Sequence, residues 1–177
     1  MLNVSQYAVQ ESLRNGLVVT IRALRPDDCE RMDEAFRKLD KGSVYTRFFS
    51  YKKELNQHDF ETIRTLDFDT RVALIVTVME AGKEVIIASS SYAKISDGEA
   101  EVAFVVEEDY HRLGIAGCLL RHLGQIARGR GISVFVADVL PDNTSMLHVF
   151  KSVGWPLESK TEDGVVQVTL SITDTGI

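Results

Sequence analysis

Around Gly114 the hydrophobic pattern of this chain changes period, and that switch limits the folds open to it. Upstream, EAEVAFVV at 99–106 reads as a strand. Downstream, Ile115, Cys118, Leu119, Leu123, Ile126 and Ala127 recur at the spacing of one helical face, with Arg121, Gln125 and Arg128 on the other. Arg128, Arg130 and Gly131 supply the positive charge and the glycine that suit a helix end. A long amphipathic helix leaving a strand through a turn of small residues needs a sheet to pack on. The rest of the sequence is therefore read for that sheet.

Residues 71–106 supply its centre. RVALIVTVM and EVIIASSSYAKI read as strands joined through Ala81, Gly82 and Lys83, and Asp97-Gly98 is a hairpin signal leading into EAEVAFVV. The three form an antiparallel meander. Before them, LVVTIRAL is a strand, Pro26-Asp27-Asp28 opens a helix striped by Met32, Ala35, Phe36 and Leu39, and a second helix runs from about Gln57 to Leu66. After the long helix come the strand ISVFVADVL and a short helix capped by Asp142 or Asn143, carrying Met146, Leu147, Phe150 and Val153 and stopped at Gly154. VVQVTLSI is the closing strand. The order β α α β β β α β α β β is a mixed α/β (α+β) layout with helices on a largely antiparallel sheet. It lacks the unbroken strand–helix alternation of a Rossmann or barrel fold. No repeat or linker divides it, so residues 17–177 are expected as one domain and residues 1–16 as an N-terminal extension.

Composition narrows the function. The 177 residues are 45% hydrophobic and 26% charged, enough for one globular core. No apolar run reaches the roughly 18 residues of a membrane helix, and the N-terminus lacks the pattern of a secretory signal, so a cytoplasmic protein with no membrane partner is expected. A net charge of −6 without a Lys/Arg-rich run argues against nucleic acid and is compatible with a cationic substrate such as an amine. Cys29 and Cys118 form no CxxC pair, and His58, His111, His122 and His148 show no metal-ligand spacing, so no metal site is expected.

The chemistry concentrates in VEEDYHRLGIAGCLL. Gly114, Ala116 and Gly117 are small where the helix begins, which lets a ligand approach the backbone. The first-turn N–H groups point outward as donors, and the positive end of the helix dipole adds to them, so the turn suits a diphosphate. Arg112 can contribute a point charge. A glycine-containing strand-to-helix turn that binds nothing is the plain structural alternative. Glu101 stands out as the acid inside the apolar stretch A-E-V-A-F-V-V. If buried or half-buried there, its pKa would rise toward a value useful to a general base, and Glu99 on the same strand face is the substitute. A solvent-facing or cross-sheet paired Glu101 is the alternative reading.

These residues resemble the GNAT acetyltransferases, which carry [Gln/Arg]-x-x-Gly-x-[Gly/Ala] between a strand and a helix. Here the run is His111-Arg112-Leu113-Gly114-Ile115-Ala116, followed by Gly117, matching at Gly114 and Ala116 and departing at His111. Val106 falls where the family has its strand-end valine, and Asn143, Met146, Phe150, Gly154 and Trp155 match a downstream series in spacing. The order of elements is also the family's. Three further motifs resemble bacterial protein lysine acetyltransferases of the GNAT class. They are Tyr45-Thr46-Arg47-Phe48-Phe49, Asp67 with Arg71-Val72-Ala73-Leu74, and Ala100-Glu101-Val102-Ala103-Phe104-Val105-Val106; Val139-Leu140-Pro141-Asp142-Asn143 recurs as well.

The resemblance implies a GNAT-like acyl-CoA N-acyltransferase fold with splayed strands, acetyl-CoA as cosubstrate and a primary amine as acceptor, either a protein lysine or a small metabolite. It implies cofactor contacts at Phe104, Val105, Val106, His111, Arg112, Gly114, Ile115, Ala116, Gly117, Asn143 and Phe150, and Glu101 as the base. The oxyanion would be met by a backbone N–H near Val105 and Val106. Phe150 stands where many relatives have a tyrosine that protonates the departing thiolate, so that proton would come from water. Relatives often dimerise through their final strands, which makes a homodimer an expected assembly. The reading of another class is a non-catalytic acyl-CoA-binding module.

Overall fold

The structure is a computed structural model that describes residues 3–38, 56–106, 110 and 112–172. The expected motif at Tyr45–Phe49 and the residues Leu39, Glu107, Glu108 and His111 lie outside the described residues. Among the described residues one eight-stranded sheet organises the fold, in the order β1-β2-β3-β4-β5-β6-β8-β7. The strands are β1 (Ala8–Ser12), β2 (Val18–Ala23), β3 (Arg71–Glu80), β4 (Lys83–Ser96), β5 (Glu99–Val106), β6 (Val134–Val139), β7 (Leu157–Glu162) and β8 (Val165–Ser171). Every neighbouring pair is antiparallel except β5 and β6. The meander and its hairpins fall where the alternation places them, with Gly98 at φ +83° in the β4–β5 turn. The segment expected as an N-terminal extension contributes an edge strand instead, since Ala8–Ser12 pair with Val18–Arg22.

The helices divide between the faces. On one face, α3 (Ile115–Arg128) and α4 (Thr144–Ser152) pack with the side chains of Val72, Leu74 and Val76 on β3, Tyr92 on β4, Ala100 and Val102 on β5, and Phe135 on β6. Leu119, Leu120, Leu123 and Ala127 of α3 are fully buried there. Each such leucine contributes on the order of 2 kcal/mol relative to an exposed one. On the other face, α1 (Cys29–Arg37) and α2 (Gln57–Arg64) cover Leu24, Ala73, Ile75 and Ile86 with Phe36 and Ile63. Trp155, just past Gly154 (φ +82°), lies against Gly124 of α3 as a core anchor, 6% exposed.

Two polar devices hold the frame. The guanidinium of Arg22 on β2 grips Asp28 with two bonds of 2.8 Å and donates to Glu84 Oε1 at 2.9 Å and Oε2 at 3.2 Å. Arg22 and Asp28 are both buried, so this pair ties the start of α1 to the sheet. Burial opposes the charge on Asp28 most strongly, yet the bonds from Arg22 and from the Arg25 N–H together hold its carboxyl below the usual range. Asp67 accepts the N–H groups of Asp69, Thr70 and Arg71 at 2.9–3.0 Å, closing the turn into β3. Burial is the largest single effect and opposes its charge, but the Thr70 hydroxyl and those amides together outweigh it, and its carboxyl falls to about 2. The spacing Asp67…Arg71 is thus a turn-closing arrangement.

Candidate active site

The parallel β5–β6 ladder is short. Glu99, Ala100 and Glu101 face Val134, Phe135 and Val136, and the register ends there. Beyond Glu101 the two strands part, while β5 keeps its antiparallel partners on β4 as far as Val106. The gap opens on the α3–α4 face into a cleft of about 1170 Å³. One wall is Phe104, Val105 and Val106, with Tyr110 beside them; the other is Asn143, Thr144, Met146 and Val149 of the α4 region. At its mouth stand Arg112, Leu113 and the start of α3 from Gly114 to Cys118.

That mouth is built from backbone. Gly114 caps α3 at φ +84°, a left-handed conformation in which a side chain would be strained, and it offers no side-chain acceptor to the first helical turn. Cys118 N–H makes the first helical bond, to Gly114 O at 3.0 Å, which leaves the preceding amides without acceptors inside the helix. Arg112 also adopts positive φ, +66°, uncommon for a residue with a side chain and an indication that the turn is held by its surroundings. Gly117 lies on the cleft wall without a side chain to close it. Arg14, from the β1–β2 connection, brings its guanidinium within 3.4 Å of where a Gly114 Cβ would stand, and Arg121 approaches Gly117 in the same way at 3.7 Å. Arg14, Arg112 and Arg121 therefore surround amides that already attract negative charge, and this arrangement fits phosphates.

Of the residues expected to hold a cofactor, Phe104, Val105, Val106, Arg112, Gly114, Ile115, Ala116, Gly117 and Asn143 line this cleft. Asn143 also caps α4, its Oδ1 accepting the Met146 N–H at 3.2 Å. Phe150 is brought elsewhere: it is 1% exposed, outside the cleft wall, and meets the Phe104 ring edge-on at 6.1 Å between centroids. Its part is to back the wall, because a ring on the inner side of a short helix follows the apolar stripe into the core. Arg14 and Arg121 escape sequence reasoning. Arg14 reaches the site only by folding of the N-terminal hairpin, and Arg121 has the sequence setting of an ordinary surface arginine on α3.

Glu101 sits at the last paired position, where β5 and β6 begin to separate, but on the sheet face opposite α3 and α4. It is exposed, not half-buried as its apolar neighbours suggest. Strand alternation sends Ala100 and Val102 into the core and Glu101 away from it. Glu99 shares its face and is likewise exposed, and Asp138 on β6 is exposed as well.

At the outer edge of the cleft, Tyr7 Oη bonds His122 Nδ1, and His122 Nε2 lies 2.9 Å from Glu11 Oε1. Burial pushes the Tyr7 hydroxyl up, helped by Glu11 and Cys118. This contact fastens β1 to α3 and explains why the N-terminal strand docks there.

The acetyltransferase (GNAT) family profile matches residues 36–155. An acetyltransferase of Pseudomonas aeruginosa is 32% identical over 154 residues, covering 86% of this chain and 83% of that protein. The acetyltransferase Pat of Mycolicibacterium smegmatis is 28% identical over 144 residues, 80% of this chain but 42% of Pat, so the chain spans less than half of that relative. Among solved structures, the GNAT domain of S. lividans PAT superposes with a TM-score of 0.84 at 34% identity, covering 93% of this chain and 96% of the other.

Proposed function

The chain belongs to the GNAT acetyltransferase family and is an acetyl-CoA-dependent N-acetyltransferase, and on that basis we propose that its acceptor is the side-chain amine of a protein lysine. The observation that carries this reading is the placement of Glu101, exposed at the point where β5 and β6 part, with the cleft on the opposite face. The cleft suits the cofactor: first-turn amides and three arginines for its phosphates, and the edge of β5 for its amide-bearing arm. Bound there, acetyl-CoA supplies the acetyl group as an activated thioester.

The chain's own residues do the remainder. Gly114–Gly117, with Arg14, Arg112 and Arg121, hold the charged end. Phe104–Val106 align the arm along β5 toward the strand gap, and Glu101 lies about 10 Å along the strand from Phe104. From that position the Glu101 carboxylate takes the proton of the incoming ammonium, directly or through one water, since only the neutral amine attacks. Because Glu101 stands on a sheet face with Glu99 and Asp138 exposed beside it, the described part of the acceptor side is acidic and open. A long cationic side chain on a large partner suits such a face. The likeness of three separated sequence motifs to protein lysine acetyltransferases supports the same acceptor.

The test is release of CoA thiol from acetyl-CoA with lysine-bearing proteins and with a panel of small amines. The expected result is turnover with the proteins, lowered by about 10²–10⁴ in Glu101→Gln, with acetyl-CoA affinity unchanged by calorimetry. Efficient turnover of a small amine with none on proteins would refute the lysine assignment. Equal turnover in Glu101→Gln would refute the role of Glu101.

A further inference from the structure

The acetyl-transfer reading leaves one group of reactive side chains unused. Cys118 and His122 lie four residues apart on α3, so both leave the same side of the helix one turn from each other. Glu11 of β1 comes across to meet them, although it precedes His122 by 111 residues. One donor atom from each of Glu11, Cys118 and His122 lies within 4.8 Å of the other two.

We propose that Glu11, Cys118 and His122 form a binding site for a zinc-class divalent cation, with a fourth position open toward the cleft that Glu11 and Cys118 line. Thiolate, imidazole and carboxylate are the ligand types zinc takes, and three protein ligands with one open position is a common zinc arrangement. Zinc bonds of about 2.0–2.3 Å place tetrahedral donors roughly 3.3–3.7 Å apart. The Glu11–His122 contact of 2.9 Å therefore needs to widen by only a few tenths of an ångström. Glu11 can supply that movement, its side chain being 39% exposed, while the His122 side chain, 13% exposed, stays fixed. Tyr7 fixes it, because its hydroxyl meets Nδ1 and directs Nε2 to Glu11. In the metal-bound form Nδ1–H donates to Tyr7 Oη and Nε2 gives its lone pair to the cation, the outer-shell arrangement that orients metal-bound imidazoles.

The step balances with one proton leaving. Glu11 enters as carboxylate and His122 as neutral imidazole, and the Cys118 thiol gives its proton to solvent as the sulfur–metal bond forms. Because forming the sulfur–metal bond releases the thiol proton, binding strengthens as pH rises. Arg121 is the cation facing Cys118; being exposed, it can swing from the thiol toward the Gly117 side of the cleft, where it meets phosphate, as the metal enters. Scanning the sequence for close Cys/His spacing misses this set because its third member comes from the first strand.

The experiment uses the full chain, stripped with chelator and titrated with Co²⁺, followed by displacement with Zn²⁺. The expected result is one tetrahedral cobalt per chain with a thiolate-to-cobalt absorption band, and a Zn²⁺ calorimetric titration that releases about one proton. The band should be lost in Cys118→Ser and the site lost in His122→Gln, while Cys29→Ser keeps both. Tyr7→Phe should weaken Zn²⁺ binding about 10- to 100-fold. Circular dichroism confirms that each variant is folded. Absence of a thiolate band in the wild-type chain, its survival in Cys118→Ser, or its loss in Cys29→Ser would overturn the proposal, leaving Tyr7, His122 and Glu11 as a hydrogen-bonded brace only.

Discussion

Gly124 offers a test in which two well-known effects oppose each other and the structure decides the sign. It lies inside α3, where replacing glycine by alanine ordinarily stabilises a helix by about 1 kcal/mol. Here a Cβ would stand 2.4 Å from Cη2 of Trp155 and 2.9 Å from Cζ2. The nearer distance is about 1 Å short of the ~3.5 Å at which carbon atoms pack. The ring cannot withdraw freely, because Trp155 is 6% exposed and belongs to the main core. Overpacking of this kind costs about 1–3 kcal/mol, and an overlap this deep against a buried ring belongs at the upper end. Gly124→Ala is therefore expected to lose a net 1–2 kcal/mol or so, lowering Tm by roughly 2–8 °C. Urea unfolding of Gly124→Ala, Trp155→Leu and the double variant measures it. In the Trp155→Leu background the alanine should turn neutral or stabilising, giving a coupling energy of about 1–3 kcal/mol. A Gly124→Ala protein as stable as wild type, or destabilised equally in both backgrounds, would refute the argument.

Arg14→Ala is expected to weaken acetyl-CoA binding about tenfold by calorimetry, the loss of one charge-assisted contact, while kcat at saturation holds. Asp28 and Glu84 both titrate below their ordinary values, Asp28 for the reasons given above and Glu84 chiefly through its bonds from Arg22. Their stabilisation is thus complete above about pH 5 and lost as pH falls through the lower folded-state values. Urea midpoints between pH 6 and pH 3 should drop more steeply for wild type than for Asp28→Asn, which should itself lose about 3–5 kcal/mol at neutral pH by leaving Arg22 buried with one partner fewer. Asn143→Ala should cost about 1 kcal/mol by removing the cap of α4, read as a shift in urea midpoint.

What the sequence discloses depends on how local each signal is. The meander and α3 are legible because their periods are written in consecutive residues, and the glycine turn because its chemistry belongs to the backbone. β1 is not legible: along Ala8–Ser12 only alternate residues are even partly covered, so an edge strand of this kind lacks a continuous apolar face. The exposure of Glu101 is hidden because apolar neighbours on a strand describe the opposite face, and which face a helix covers is settled only by the whole sheet. Phe150 carries the right spacing, but its depth behind Phe104 depends on the angle of α4. Arg14, Glu11 and Tyr7 join the site through one contact between β1 and α3 that no stretch of sequence spells out.

The three-residue parallel ladder at Glu99–Glu101 has a consequence for the molecule as a whole. Among the described residues it is the one strand-to-strand seam between the part of the sheet laid down first, β1 to β5, and the trio β6, β8 and β7 that completes it. A guest lying along the open stretch acts as mortar between the two portions. An empty protein should begin to come apart along this line before any other, with amide exchange in β6 and β8 quickening first, and a filled one should behave as a single cooperative block.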